Sequence, residues 1–233
     1  MKFKKMLLFS GIVLGMLGIL LHFNTYLEKE NAIETKTYTS KNEFVKSAAD
    51  NNVLEDEPEI STKLKKGCVV VNVKTMCDKQ YQKLHKDDWK VRAKKITKKG
   101  TKALYSEFNI YFKAKNAVSF TSKKSSDAET IYKDFVKINK ISGSTDMIVG
   151  LSGRDPEGVA GMSYVGKVKG GPKVLIFASS YNSEAETVQH EIGHAYDLEH
   201  CKSNCVMKAS GFGYLNKFCS KHKREWKNNR KYY

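Results

Sequence analysis

The spacing of three histidines constrains this chain more than any other feature. In Thr187 to Met207, TVQHEIGHAYDLEHCKSNCVM, His190 and His194 stand four residues apart. On a helix that is a little over one turn, so both imidazoles leave the same face and can meet one cation. Zinc suits them: it accepts neutral imidazole at roughly 2.0–2.1 Å, and a catalytic centre takes three protein ligands and keeps the fourth position open. His200 is the candidate third ligand. It lies six residues past His194, too far to share the helical face unless the chain breaks and turns back beneath the metal. Gly193 and Asp197 bear on that turn, because Asp visits the left-handed region more readily than most residues and can end the helix there.

Glu191, adjacent to the first ligand, is the candidate general base. A carboxylate at that place takes a proton from a water that the metal activates, whose pKa falls to roughly 7, and later delivers it to a leaving amine. The implied chemistry is hydrolysis of a peptide or similar amide. The bland alternative makes His190 and His194 surface histidines of an amphipathic helix. It requires the third histidine, the apolar Val188 and Ile192 and the cysteines that follow to be coincidences, and it is rejected.

The run His190-Glu191-Ile192-Gly193-His194-Ala195-Tyr196-Asp197-Leu198-Glu199-His200 resembles the metzincin pattern HExxHxxGxxH, with Asp197 where glycine is usual. The continuation is more specific. Cys201, Cys205-Val206-Met207 and Phe218-Cys219-Ser220-Lys221-His222 resemble the archaemetzincins, which follow the third histidine with cysteines for a second zinc. The resemblance implies that Met207 occupies a tight turn and floors the catalytic metal, a role compatible with an ordinary core methionine. It also implies a structural zinc on Cys201, Cys205, Cys219 and His222, the last replacing the family's fourth cysteine. A Cys₃His set is an ordinary closed tetrahedral site, and the CxxH spacing lets Cys219 and His222 converge on one ion. The steps from Cys201 to Cys205 and from Met207 to Cys219 are shorter than the family's usual ones, which alters loops without removing a thiolate. What the resemblance implies is thus two Zn²⁺ per chain, one catalytic and one structural, and a peptide or protein substrate cut by an endopeptidase or aminopeptidase.

Met6 to Leu27 contain no Lys, Arg, Asp or Glu, are apolar through most of Leu7 to Phe23, and follow Lys2, Lys4 and Lys5. That is the positive-inside pattern of a membrane-targeting helix, borderline in length for spanning. No small-x-small cleavage pattern follows Leu21 and no cysteine is placed for a lipid, which favours a retained transmembrane anchor over a cleaved signal peptide. The catalytic domain then lies outside the cytoplasm; cleavage would instead secrete it. In such a compartment cysteines can pair. With three of the five assigned to zinc through the resemblance, Cys68 and Cys77 remain as a pair able to bridge a short loop; otherwise all five stay reduced or shuffle.

The formal charge of +16 invites a nucleic-acid reading. No recognisable DNA- or RNA-binding signature accompanies the lysines, so no specific nucleic acid is expected. Anionic envelope polymers or phospholipid headgroups fit an exported basic chain better. They define the competing reading, a zinc-stabilised, membrane-anchored binding module without catalysis. The intact Glu191 argues against it, since metal ligation alone does not need that carboxylate.

Three regions follow: 1–27 as signal peptide or membrane anchor, 28–66 as a polar stalk, and 67–233 as the metallopeptidase domain. The expected class is α+β, a mixed sheet with helices, carrying an active-site helix and a Met-turn. Strands are expected at Cys68 to Lys74, Asp146 to Leu151, Gly158 to Gly166 and Lys173 to Ser179, with one strand or a hairpin through Lys115-Asn116 in Phe108 to Thr121. Helices are expected in Asp78 to Glu107, broken at Gly100, in Ser126 to Asn139, from Ser183 or Glu184, and as a basic closing helix within Tyr214 to Tyr233. The GVAGMSYVG stretch resembles the metzincin edge strand across the cleft from the metal, an edge that can take up an extended peptide. His85 reads as part of a solvated helix face; Asp146, Asp155 and Glu157 read as solvated turn residues rather than a calcium site; Tyr196 and Tyr214 read as packing residues.

Overall fold

The computed structural model describes residues 35–39, 64–115 and 117–233. The anchor or signal helix, and most of the stretch read as a stalk, lie outside the described residues. Among those described, no helix is long and apolar enough to cross a membrane.

Strand β1 (Thr35–Thr39) comes from within the stretch read as a stalk. The β-branched run VVVNVKTMCD forms β2 (Val69–Asp78). Asp78 then accepts the backbone N–H of Tyr81 at 2.8 Å and starts α1 (Lys79–His85). A 3₁₀ turn separates it from α2 (Trp89–Phe108). The break therefore falls at Lys86, whose φ is 46°, and not at Gly100, which is buried inside α2 against Ala185. Next come β3 (Ile110–Ala114), β4 (Val118–Phe120) and α3 (Ala128–Ile138), the last capped by Asp127 on Thr130 N–H at 2.7 Å. The remaining elements are β5 (Met147–Ser152), β6 (Val159–Tyr164), β7 (Lys173–Phe177), α4 (Tyr181–Ala195) and α5 (Ser220–Asn229).

Among the described residues the strands lie in the order β1-β6-β7-β5-β2-β3, with β4 also on β2. β2, β3, β4, β5 and β7 are mutually parallel; β6 runs antiparallel to β7, and β1 antiparallel to β6. The fold is a mixed α/β fold with a mostly parallel sheet. No hairpin passes through Lys115-Asn116: β3 and β4 pair one after the other along the same edge of β2 and point the same way.

A sheet covered on both faces explains the unbroken apolar runs of its central strands. Val149, Leu151, Val174 and Ile176 face α2 and α4, whereas Ile148, Leu175 and Phe177 join Ile131 and Phe135 of α3 on the other side. Alternation with period two sends each strand's side chains into both layers. α5 closes the first layer through Trp226, fully buried and stacked on Phe108 with ring centroids 5.6 Å apart.

The strand length overturns the proposed Cys68 to Cys77 bridge. The two residues lie at opposite ends of β2, roughly 30 Å apart at about 3.3 Å per residue, whereas a disulfide needs Cα atoms within about 7 Å. Both cysteines are free. His85 departs from expectation in part: it is half-buried, with its ring centroid 4.4 Å from that of Tyr81.

Candidate metal centre and catalytic cleft

From Glu184 to Ala195 every residue of α4 is buried. The helix is held at its start by the Glu184 carboxylate, which accepts from Tyr81 Oη at 3.1 Å, Arg92 at 3.2 Å and the Ser179 N–H at 2.9 Å. A buried charge needs such a complete set of partners. Ser180 caps the helix and moves its first residue back to Tyr181.

The other end decides where His200 goes. Asp197 adopts φ 68°, Asp197 N–H donates to His194 O at 2.8 Å, and Leu198 N–H donates to Gly193 O at 3.0 Å. These two bonds make a Schellman cap with Asp in the left-handed position usually held by glycine. The chain turns back under the helix and brings His200 beside the other two.

The three Nε2 atoms converge: His190 to His194 is 3.0 Å, His190 to His200 3.2 Å and His194 to His200 3.1 Å. His190 Nδ1 is 2.6 Å from Val206 O, and His194 Nδ1 2.7 Å from Leu198 O. A carbonyl can only accept, so each Nδ1 carries the proton and each Nε2 directs a lone pair inward. Burial, then the neighbouring His194, holds His190 well below its ordinary pKa and therefore neutral. Tetrahedral zinc with bonds of about 2.05 Å separates its nitrogen ligands by about 3.3 Å. The donor set fits.

Glu191 is fully buried, and among the described residues neither carboxylate oxygen has a hydrogen-bond partner. Burial pushes its carboxyl well above the usual carboxylate range. An orphaned buried carboxylate is costly unless something charged or polar meets it. On one side it touches β6: a Cβ on Gly161 would stand 2.9 Å from Glu191 Cγ and 3.0 Å from Oε1.

The segment after His200 serves a second cluster. The ligand atoms of Cys201, Cys205, Cys219 and His222 all lie within 4.8 Å of one another. His222 Nδ1 is 3.1 Å from Cys205 Sγ and 3.2 Å from Cys219 Sγ, while its Nε2 sits 3.0 Å from Glu199 O. The carbonyl fixes the proton on Nε2 and turns the Nδ1 lone pair toward the sulfurs. Burial pushes the Cys205 thiol up to about 12, so a cation in the cluster is what would hold it as thiolate. Donor types and spacing fit structural zinc. The two clusters share one short segment, closed by Cys201 N–H donating to Met207 O at 2.9 Å.

Two contributors escaped the sequence reading. Glu186 accepts the N–H groups of Gly213 and Tyr214 at 2.9 and 3.0 Å, tying the loop after Met207 to α4. Gln189 bridges Gly100 O and Asn216. Glu186 lies one turn before His190 on the same helical face, a positional signal that was available. Tyr196 packs in the core against Trp226, Tyr214 receives Lys208 Nζ at 2.9 Å, and Asp146 holds Asn72.

A mixed sheet under a helix bearing HExxH, with a third histidine returned by a tight cap, defines a metzincin-like zinc metallopeptidase. Residues 69–232 match the reprolysin-type profile of metallo-peptidase family M12, and the chain belongs to that family. No curated protein sequence matches it. Archaemetzincin from Methanopyrus kandleri is similar in structure, at 15% identity over 72% of this chain and 99% of that one, with a TM-score of 0.48. A chain from a chaperone–substrate complex is similar over 63% of this chain at 10% identity and TM-score 0.45; the present chain covers 26% of its length.

Proposed function

We propose that the chain is a zinc endopeptidase in which His190, His194 and His200 hold the catalytic zinc and Glu191 is the general base. The observation that carries this reading is the convergence of three Nε2 atoms at 3.0–3.2 Å, with the tautomers of His190 and His194 set by backbone carbonyls. Zinc, when bound, supplies a Lewis acid that polarises a carbonyl and lowers the pKa of its water to roughly 7. Glu191 takes the proton of the attacking water and delivers it to the leaving amine. Its burial excludes competing solvent. Met207, fully buried under the helix, supports the ligands, and a second, structural zinc is held by Cys201, Cys205, Cys219 and His222.

Internal cleavage is favoured over aminopeptidase action by the position of Gly161. It lies within β6 and not at its end, so a peptide laid along that strand extends past Glu191 in both directions. The apolar stretch Leu7 to Phe23 is read as an anchor that holds the domain outside the cytoplasm. The alternative of a binding module without catalysis is not favoured, since the chain belongs to a family of metallopeptidases.

The test compares wild type with Glu191→Gln for zinc content and for hydrolysis of quenched fluorescent peptides. The variant keeps its zinc and loses turnover by roughly 10²–10⁴-fold. Unchanged turnover would remove Glu191 from the chemistry, and an inert zinc-loaded wild type would remove the peptidase reading itself.

A further inference from the structure

Helices α2 and α5 cover the same face of the sheet as α4 and meet where Trp226 stacks on Phe108 and Lys223 reaches Glu107 at 3.6 Å. Their exposed sides point away from the sheet and are strongly cationic. Between Trp89 and Ser106 the chain has no Asp or Glu. Val91, Lys95, Lys98 and Lys102, at helical spacing, form one outward stripe roughly 16 Å long at about 1.5 Å per residue. On α5 the exposed residues include Lys221, Lys223, Arg224 and Lys227, and the one acid of that helix, Glu225, is tied to Lys221 at 3.7 Å. A groove of about 380 Å³ runs along α5 between Ser220, Lys223, Arg224, Lys227 and Asn228.

Like charges gathered on one face repel one another and create a positive field that attracts an anionic partner. The layout decides the partner's shape. Two helices of one layer present a broad surface rather than a cleft, and neither exposes an aromatic ring on which a base could stack. At one end the surface turns apolar instead: Val91 is 48% exposed and Leu84, on α1 just before it, 57%. Cations beside exposed aliphatic side chains match a bilayer interface, where lysine stems lie along hydrocarbon while their heads meet phosphate.

We propose that the outward face of α2 and α5 is a docking surface for an anionic phospholipid bilayer. Lys95, Lys98, Lys102 and the α5 groove take head-group phosphates, and Val91 enters the boundary of the acyl chains. Each lysine near an anionic leaflet strengthens attachment about fivefold, and the three of α2 together about a hundredfold. The inference stands apart from the peptidase reading and from the anchor. An anchor holds a chain at any bilayer, whereas this face distinguishes an anionic bilayer from a neutral one.

The experiment mixes the zinc-loaded full chain with vesicles of phosphatidylcholine alone, or of phosphatidylcholine and phosphatidylglycerol at roughly 3:1, and reads the acylation rate of each lysine by mass spectrometry. With the mixed vesicles Lys95, Lys98, Lys102 and Lys227 react at least about fivefold more slowly, and the protection disappears at about 0.5 M salt, where the Debye length is about 4 Å. Lys137, exposed on α3 across the sheet, keeps its rate. In a chain with Lys95→Gln, Lys98→Gln and Lys102→Gln, whose circular dichroism serves as the folding control, the protection of Lys227 is lost. Equal rates with both kinds of vesicle, whether slowed by both or by neither, overturn the proposal. Undiminished protection of Lys227 in the triple variant overturns the joint face. Protection by a DNA duplex at the same phosphate concentration, and not by the mixed vesicles, overturns it in favour of a nucleic-acid surface.

Discussion

Gly193 of α4 lies flush against Met207: a Cβ on Gly193 would stand 3.0 Å from Met207 Cε and closer still to its sulfur. The turn that carries Met207 also carries Val206, whose carbonyl orients His190. The absence of one side chain thus lets the turn sit close enough to set a ligand's tautomer.

Gly193→Ala tests this contact. Alanine favours a helix interior by about 1 kcal/mol over glycine, but overpacking a buried methionine costs about 1–3 kcal/mol. The expected outcome is a net loss of up to about 2 kcal/mol with weaker retention of zinc at the histidine cluster, measured by thermal unfolding and by metal content after dialysis.

Cys219→Ser removes one thiolate from the second cluster and leaves the three histidines untouched. Zinc per chain falls from about two to about one, and the unfolding temperature drops because the start of α5 and the segment at Cys205 lose their common tie. Atomic emission on the purified variant reads the first effect and calorimetry the second. A wild type that binds a single zinc, kept in the variant, would mean that the cysteines hold no metal.

Glu186→Ala leaves two backbone N–H groups, those of Gly213 and Tyr214, without their acceptor. Hydrogen bonds to a charged group contribute about 1.5–3 kcal/mol each, so the loop after Met207 loosens. KM for peptide substrates rises more than kcat falls, and steady-state kinetics against zinc content separates this from loss of metal.

His85 gives the fold an acid-sensitive component. Burial, with a smaller push from the Arg92 charge, lowers its pKa from 6.5 to about 4. The unfolded chain binds this proton first as pH falls, so the stability contributed by neutral His85 is complete above about pH 6.5 and is lost progressively toward pH 4. The slope of unfolding temperature against pH across that window is steeper for wild type than for His85→Gln.

The chemistry-bearing residues were legible in the sequence because the relevant geometry is local. A four-residue spacing fixes His190 and His194 to one helical face, Asp127 caps the helix that follows it, and the unbroken apolar run of Lys173 to Ser179 announces a central strand. The left-handed turn at Asp197 was also foreseeable, since few side chains tolerate that conformation and Asp is one of them. In each case the deciding forces act between residues a few positions apart.

Tertiary structure decided what depends on distant partners. Cys68 and Cys77 were separated because β2 extends through the whole interval between them, sustained by ladders to β5 and β4 that no local pattern encodes. β3 and β4 became successive parallel neighbours of β2 rather than a hairpin, a choice made by the sheet edge and not by Lys115 or its turn propensity. Glu186 found Gly213, and Thr35–Thr39 found β6, across long stretches of intervening chain. By itself the sequence determined the local spacing of the candidate histidines, cysteines and carboxylate. Only the folded sheet decided what backbone lies beside them, because strand pairing is set by whichever edges the closed core leaves available.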